Sequence, residues 1–337
     1  RGNPTVEAEV VIQDGSIGTS IVPSGASTGR YEAHELRDKN KDYLNKSVFD
    51  AVNNINNKIS KILINKSSTD QSEIDKILIN LDGTENKSNI GANAILAVSI
   101  ANLKAAAKFS KKEIYRYLNN GGMNNINYGE KSKSLGATEP MFCMPYPLMN
   151  IINGGAHANN SLEIQEFMIR PDGAKSFKEC MRMSFLVIQN LKKNLEDKKI
   201  STSVGDEGGF APSLSSDEEA IKVIMKSISS AGFEPGKDIS ICLDVAANEL
   251  KEPKDVKYFL ELTKKYPIKS IEDPFSEDDW DNWNKLTQQV KTQIVGDDLF
   301  VTNKKRLERG IKEKSANSIL IKPNQIGTVS ETLETIK

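Results

Sequence analysis

Four ionisable residues recur at intervals of 28, 25 and 25 residues, each at the end of a short apolar run: Asp244 in CLDVA, Glu272 in SIEDPF, Asp297 in VGDDLF and Lys322 in LIKPN. An interval of this length fits one strand followed by one helix. In a barrel of such units, the C-terminal ends of successive strands meet at one mouth. We therefore expect three carboxylates and one amine in a single pocket.

The three carboxylates predict a site for a hard divalent cation. Carboxylates that crowd together in a low-dielectric mouth raise one another's pKa unless a cation joins them. No Cys or His accompanies them, and oxygen ligands favour magnesium, calcium or manganese over zinc, so we choose magnesium. Taken singly, each acid is explained as well by a solvated loop or a helix cap, and only the repeated register favours the metal site.

Lys322 has two possible roles, and four further polar residues are considered beside it. Lys322 is either a salt-bridge partner of the carboxylates or a base, which must be neutral and which nearby cations would favour in that form. Glu166 in IQEFM and Glu207 in GDEGGFAP are further acids, the latter among glycines that let backbone approach a ligand. Of the two histidines, His157 in NGGAHANN fits a solvated turn and His34 an ordinary surface position.

An N-terminal α+β domain is predicted over residues 1–120. Apolar residues at every second position indicate a strand with one buried face, and Asp14-Gly15 supplies a hairpin turn: Val6, Ala8, Val10 and Ile12. Residues 89–108 are rich in Ala, Ile and Leu, which predicts a helix buried on most sides. Residues 121–140 are rich in Gly, Asn, Ser and Lys and are interpreted as a linker, with an inserted surface loop at 124–139.

Residues 141–337 are predicted to form a barrel domain. Seven apolar runs alternate with helical stretches: PYPLMNII, EIQEFMI, STSVGDEG, ISICLDVA, IKSIEDPF, TQIVGDDLF and NSILIKPNQIG. Two helices are expected to begin at the capping boxes Ser176/Glu179 and Ser216/Glu219. The first has apolar residues three or four apart: Phe177, Cys180, Met181, Phe185, Ile188 and Leu191. This rhythm predicts parallel strands covered by helices, with an eighth strand missing.

Composition indicates a soluble protein with small partners. A formal net charge of -1 and 38% hydrophobic residues give no electrostatic reason to expect nucleic acid or a membrane. Three cysteines without CxxC spacing are interpreted as buried free thiols: Cys143, Cys180 and Cys242. We expect a cytoplasmic protein and, because the chain runs from Arg1 to Lys337, a fragment without its natural ends.

Nine segments, in order along the chain, resemble the enolase family: RGNPTVE, PSGASTGRYEAHELRD, NIINGGAHANN, IQEFMI, GDEGGFAP, LDVAANE, SIEDPF, GDDLFVTN and ILIKPNQIGT. The resemblance implies an α/β protein, with an α+β N-terminal domain before a (β/α)8 barrel whose first two strands are antiparallel. It also implies a hydro-lyase that interconverts 2-phosphoglycerate and phosphoenolpyruvate, and a homodimer or larger assembly.

The resemblance assigns metal ligands residue by residue. Asp244, Glu272 and Asp297 correspond to the ligands of a tightly held Mg²⁺, and Glu272 and Asp297 also lie at the substrate. Ser27 in SGAST is similar to the loop serine that binds a second Mg²⁺ once substrate is present. Two ions per active site are therefore implied.

Four catalytic or substrate-binding roles follow from the same resemblance. Lys322 resembles the base that removes the C2 proton, and Glu207 the acid that helps the C3 hydroxyl leave. Glu166 is similar to a second carboxylate near that hydroxyl, and His157 to the loop histidine that closes on substrate.

Some family features are absent from this sequence, and two alternative functions stay open. The family's eighth strand with a Ser-His-Arg motif and a later lysine do not occur, so we expect the polypeptide as written to be poorly active or unstable, because an open barrel exposes strand edges. A sugar-acid dehydratase of the same superfamily is one alternative. A catalytically inactive binding protein on the same scaffold is the other. GDEGGFAP and SGAST favour enolase over the dehydratase, and the intact motif residues disfavour inactivity.

Overall fold

A computed structural model describes residues 2–25, 28–118, 142, 144–205 and 207–337. The chain divides into two compact units. The first comprises residues 1–142, 301–307 and 321–337, and the second comprises residues 143–300 and 308–320. The linker predicted at 121–140 lies outside the described residues.

The first unit begins with an antiparallel hairpin of β1 (Val6–Val11) and β2 (Ile17–Val22). Gly15, at φ +86°, forms the turn, and Val6 and Ala8 are buried between exposed glutamates, which confirms the predicted alternation. A Cβ on Gly18 would stand 2.0 Å from the carbonyl oxygen of Ala101. This strand therefore packs directly on helix backbone, which only glycine allows.

The described part of the first unit contains several helices, one of which is largely buried. They are α1 (Phe49–Asn54), α2 (Ser60–Leu63), α3 (Gln71–Asp82), α4 (Ala92–Phe109) and α5 (Ile114–Tyr117), with a π-helical segment at Ile55–Ile59. In α4, 14 of 18 residues are buried, which confirms the helix predicted over 89–108. The later segment 321–337 adds α11 (Pro323–Ile326) and α12 (Val329–Ile336).

A buried carboxylate, Asp75, ties three of these helices together. It accepts hydrogen bonds from the Ser99 hydroxyl at 2.6 Å, from Gln71 Nε2 at 2.9 Å and from the Ser330 backbone N–H at 2.8 Å. Burial raises the pKa of Asp75, although these donors oppose the shift. The contact with Ser330 attaches the start of α12 to α3 across 255 positions of sequence.

Replacement of Asp82 by Asn is expected to lower the free energy of unfolding by about 1–3 kcal/mol at pH 7, because three backbone N–H donors, of which that of Ile90 is buried, lose a carboxylate acceptor. The Asp82 carboxylate accepts from the backbone N–H groups of Thr84 at 3.0 Å, Asn89 at 3.0 Å and Ile90 at 2.6 Å. Burial raises the pKa of Asp82, but hydrogen bonds from Thr84, Ile90 and Asn89 outweigh it and lower the pKa overall.

The pKa of Asp82 is lower in the folded protein than in the unfolded chain. The stabilisation by its carboxylate is therefore fully present above the unfolded pKa of about 3.9, and it is lost as the pH falls through the folded-state pKa. Urea titrations at several pH values should therefore show the difference between wild type and Asp82→Asn shrinking below about pH 3.9. The exposed control Asp50→Asn should change stability by less than about 0.5 kcal/mol. A difference that stays constant down to pH 3 would contradict this account.

The second unit contains a six-stranded sheet in the order β3-β4-β5-β6-β7-β8. Its strands are β3 (Met149–Asn153), β4 (Glu166–Arg170), β5 (Ser240–Asp244), β6 (Ile268–Glu272), β7 (Gln293–Gly296) and β8 (Ser318–Ile319). The strand β4 is antiparallel to both neighbours and the later pairs are parallel. The uniformly parallel prediction is wrong for β4, because the short connection 154–165 holds a 3₁₀ turn rather than a crossover helix. The mixed sheet agrees with the antiparallel start that the resemblance implied.

One of the seven predicted strand runs, STSVGDEG, is not a strand in the described residues. It leads into a glycine-rich loop that makes isolated bridges, Val204 with Phe210 and Ile152 with Phe210. Three glycines between positions 205 and 209 weaken a strand, because they offer no side chain to pack and lose more backbone entropy.

Helices of the second unit include α6 (Phe177–Asp197), α7 (Asp217–Ser230), α8 (Val256–Lys265) and α9 (Trp280–Gln289). The next helix, α10 (Lys304–Glu313), has residues assigned to both units. Both predicted serine caps are confirmed, since Ser176 accepts from the Glu179 N–H and Ser216 from the Glu219 N–H. The glutamate side chains accept from the N–H groups of Lys175 and Ser215, one residue before each cap. Among the described residues, no helix has the length and apolar character needed to cross a bilayer.

The predicted apolar face of α6 is wrong in part. Its buried apolar residues are Cys180, Met183, Val187, Leu191 and Leu195. Phe177, Met181 and Phe185 are instead exposed. The helix carries two apolar stripes, and periodicity alone does not tell which of them packs on the sheet. Cys180 and Cys242 are buried free thiols, as predicted, while Cys143 lies outside the described residues.

Candidate active site

Three of the predicted acids lie at neighbouring strand ends of the second unit. Asp244 ends β5 and Glu272 ends β6, and the two are direct register partners. Glu272 is in register with Val295, and Asp297 directly follows the last residue of β7. The strand-plus-helix interval read from the sequence thus corresponds to adjacent ends of parallel strands.

The antiparallel direction of β4 brings a fourth acid to the same edge. Glu166 is the first residue of β4, and its register partner is Asp244. The Nδ1 atom of His157 stands 3.4 Å from Glu166 Oε1, an ion pair when the histidine is protonated. His157 is 7% exposed, so the solvated turn considered from the sequence is wrong.

The segment that carries His157 is pinned at both ends. The Gly154 N–H donates to the Gln165 carbonyl at 2.9 Å, and a Cβ on Gly154 would stand 2.4 Å from the Ile164 carbonyl oxygen. Asp217 accepts from the backbone N–H groups of Glu163 at 3.0 Å and Ile164 at 3.3 Å. Burial raises the pKa of Asp217, and these two N–H groups oppose that shift. The glycine requirement explains NGGAH in this segment.

The orientation of the Asp244 side chain is set by two donors. Gln165 Nε2 donates to Oδ2 at 3.0 Å, and the Ala246 N–H donates to Oδ1 at 3.0 Å. Asp244 and Gln165 are both buried. Because each carboxylate oxygen has a second lone pair, both contacts leave the side chain able to bind a cation.

Sequence reasoning missed Asp273, which directly follows Glu272 and is 4% exposed. Its Oδ1 accepts from the Asp297 N–H at 2.9 Å, and its Oδ2 accepts from the Asp298 N–H at 2.8 Å. Burial raises the pKa of Asp273 well above its usual value, and the charges of Asp297, Asp298 and Asp244 raise it further. The acidic doublets ED in SIEDPF and DD in VGDDLF were the available signal.

Carboxylate oxygens of Asp273, Asp297 and Asp298 lie within 4.8 Å of one another. Crowded acids whose mutual repulsion raises a pKa are the electrostatic condition that a divalent cation relieves. The donors are all oxygens, which suits a hard cation, so the residues fit Mg²⁺. This set shares only Asp297 with the trio predicted from the sequence, and the ligand roles of Asp244 and Glu272 stay predictions.

Two other predicted residues, Glu207 and Lys322, lie in loops. Glu207 is exposed in the glycine-rich loop, which lies on β3 because a Cβ on Gly209 would stand 2.7 Å from the Ile151 carbonyl carbon. Lys322 belongs to the first unit, where it precedes α11 and its N–H donates to Thr302 Oγ1 at 2.8 Å. Ser27 lies outside the described residues. His34 is exposed, as predicted.

Comparison with known proteins identifies the family. The family description "Enolase, N-terminal domain" matches residues 1–118, and "Enolase, C-terminal TIM barrel domain" matches residues 141–262 and 253–337. An enolase from Pelagibacter ubique is 54% identical over 353 aligned positions, which cover 100% of this chain and 80% of that relative. With both family domains matched in order and acids at the barrel strand ends, this chain belongs to the enolase family.

Proposed function

We propose that this chain catalyses the reversible dehydration of 2-phosphoglycerate to phosphoenolpyruvate, a lyase reaction of glycolysis and gluconeogenesis. One observation carries the proposal. In a chain of the enolase family, Glu166, Asp244 and Glu272 are register neighbours at strand ends, and Asp297 follows the next strand. This row of acids would repel an anionic substrate unless cations are bound between the two.

Magnesium is the cofactor that we propose, with two ions per active site and the second bound together with substrate. We assign Asp244, Glu272 and Asp297 to the first ion and Ser27 to the second, with Glu272 and Asp297 also at the substrate. When bound, Mg²⁺ would supply positive charge that offsets the negative charge growing on the substrate as the C2 proton leaves. The oxygen-only donor set and the crowding around Asp273 support this choice.

The side chains of this protein divide the proton transfers between them. Lys322 takes the C2 proton on its Nζ atom. Glu207 donates a proton to the C3 hydroxyl, which leaves as water while the C2–C3 double bond forms. Glu166 lies near that hydroxyl, and His157, 3.4 Å from Glu166, closes on the substrate. The family motifs around each residue support these roles.

Organisation and setting are proposed from the same family membership. We propose an N-terminal domain at 1–120, a linker with an insertion at 121–140 and a barrel domain at 141–337. We further propose a homodimer or larger assembly in the cytoplasm, acting on small-molecule substrates rather than on nucleic acid or membranes.

A direct assay tests the reaction. Purified protein with Mg²⁺ and 2-phosphoglycerate should form phosphoenolpyruvate at a low rate, and phosphorus-31 NMR measures its formation. Conversion should stop with EDTA and resume with excess Mg²⁺. Sugar acids serve as competing substrates, and turnover of these alone would favour the dehydratase alternative. No product from either class with saturating Mg²⁺, in a sample that circular dichroism and a cooperative thermal transition show to be folded, would favour the inactive binding protein.

A further inference from the structure

We propose that Asp273 is a positioning residue, which holds the loop carrying Asp297 in the geometry that binds a divalent cation. This inference rests on the proposed cation site, but it assigns a role to a residue outside the predicted ligand set. The carboxylate of Asp273 is directed at the backbone of the two residues that follow β7, Asp297 and Asp298.

The backbone of Asp273 is itself fixed between two strands. Its N–H donates to the Val295 carbonyl of β7 at 3.0 Å, and its carbonyl accepts from the Ala247 N–H, after β5, at 3.1 Å. Asp273 has φ +41°, in the left-handed region where aspartate is tolerated better than most residues. The side chain therefore leaves from a backbone that adjoining strands hold in place.

Two consecutive N–H groups donate to the two oxygens of one carboxylate, at 2.9 and 2.8 Å. This pairing fixes the peptide planes before and after the Asp297 Cα, and with them the direction in which the Asp297 side chain leaves. A single acceptor would fix only one of these planes.

The other side of the loop is held by Asn248. Its Nδ2 donates to Asp298 Oδ2 at 2.9 Å and to Glu277 Oε2 at 3.1 Å. Asp298 is thus held through its backbone by Asp273 and through its side chain by Asn248. Replacing a residue that orients a metal ligand in this way typically lowers metal affinity or activity by about 10- to 100-fold.

Two substitutions separate positioning from charge. Asp273→Asn removes the charge and one of the two acceptors, whereas Asp273→Glu keeps the charge and displaces both oxygens by one methylene. We expect both to raise the Mg²⁺ dissociation constant by about 10- to 100-fold, measured by calorimetry on metal-free protein. Should a variant unfold without metal, the dependence of its melting temperature on Mg²⁺ concentration gives the same constant. The exposed Asp281→Asn is the control and should match wild type.

Amide hydrogen exchange in EDTA separates positioning from direct ligation. If Asp273 holds the loop, the amides of Asp297 and Asp298 exchange faster in metal-free Asp273→Asn than in metal-free wild type. Unchanged exchange would assign Asp273 as a ligand instead. Wild-type affinity in Asp273→Glu would reduce its role to charge, and affinity within about 2-fold of wild type in Asp273→Asn would overturn the inference. None of these measurements needs turnover, so failure of the proposed reaction is distinguished from failure of this role.

Discussion

A Lys322→Ala variant is expected to lose turnover of 2-phosphoglycerate by about 10²–10⁴-fold, the usual contribution of a positioned general base. The C2 proton lies beside a carboxylate that is already charged, so its removal needs both a neutral amine and nearby positive charge. Without the Lys322 amine, water must take the proton. Mg²⁺ affinity should change little, because the Lys322 amine is not one of the proposed metal ligands.

The measurement that isolates this step is exchange of the C2 hydrogen of 2-phosphoglycerate with deuterated solvent. Exchange should fall together with turnover in Lys322→Ala. Lys322→Arg should be equally inactive, because a guanidinium cannot become neutral in the working pH range. Lys257→Ala, at a lysine that is 79% exposed, is the control for general effects of removing a lysine. Normal exchange in Lys322→Ala would remove this residue from the role of base.

Replacing Asp297 by Ala should weaken Mg²⁺ binding by more than about 100-fold, since changes outside the ligand shell already cost 10- to 100-fold. Turnover at ordinary Mg²⁺ concentrations should be lost with it. The metal-free variant should be at least as stable as wild type, because the charge of Asp297 is one cause of the raised pKa of the buried Asp273 carboxyl. Removing the Asp297 charge removes its repulsion with the Asp273 carboxyl, which destabilises the folded state.

Thermal unfolding with and without Mg²⁺ tests both parts of this expectation. Wild type should gain stability with Mg²⁺ according to the ratio of ion concentration to dissociation constant, and Asp297→Ala should gain almost none. Asp281→Asn, on the exposed side of α9, should respond to Mg²⁺ as wild type does. A full Mg²⁺ response in Asp297→Ala would exclude this residue as a ligand.

Several features of the site follow from local patterns. The intervals between Asp244, Glu272 and Asp297 equal one strand plus one helix, so the sequence alone placed these acids at successive strand ends. The hairpin at Asp14-Gly15 and the caps at Ser176 and Ser216 were equally readable, because turn geometry and capping depend on residues close in sequence.

Other features depended on packing between distant segments. The direction of β4, which sets Glu166 beside Asp244, follows from a connection that holds no crossover helix. The glycine-rich run ending at Phe210 forms a loop on β3 rather than a strand. The sequence also did not determine which side of α6 is buried, because the helix has two apolar stripes and either of them could pack on the sheet.

Asp273 is the clearest example of a site residue whose role local sequence patterns do not predict. Its type and its place after Glu272 are printed in the sequence, yet the two N–H groups that it accepts come from residues 24 and 25 positions away. A hydrogen bond across that distance exists only once β6 and β7 are paired and the loops after them are folded. Sequence periodicity indicates which face of a helix or strand is apolar. It does not identify the hydrogen-bond partner of a buried polar group. Such a group needs a partner because unpaired burial is costly, and tertiary contacts decide which partner it has.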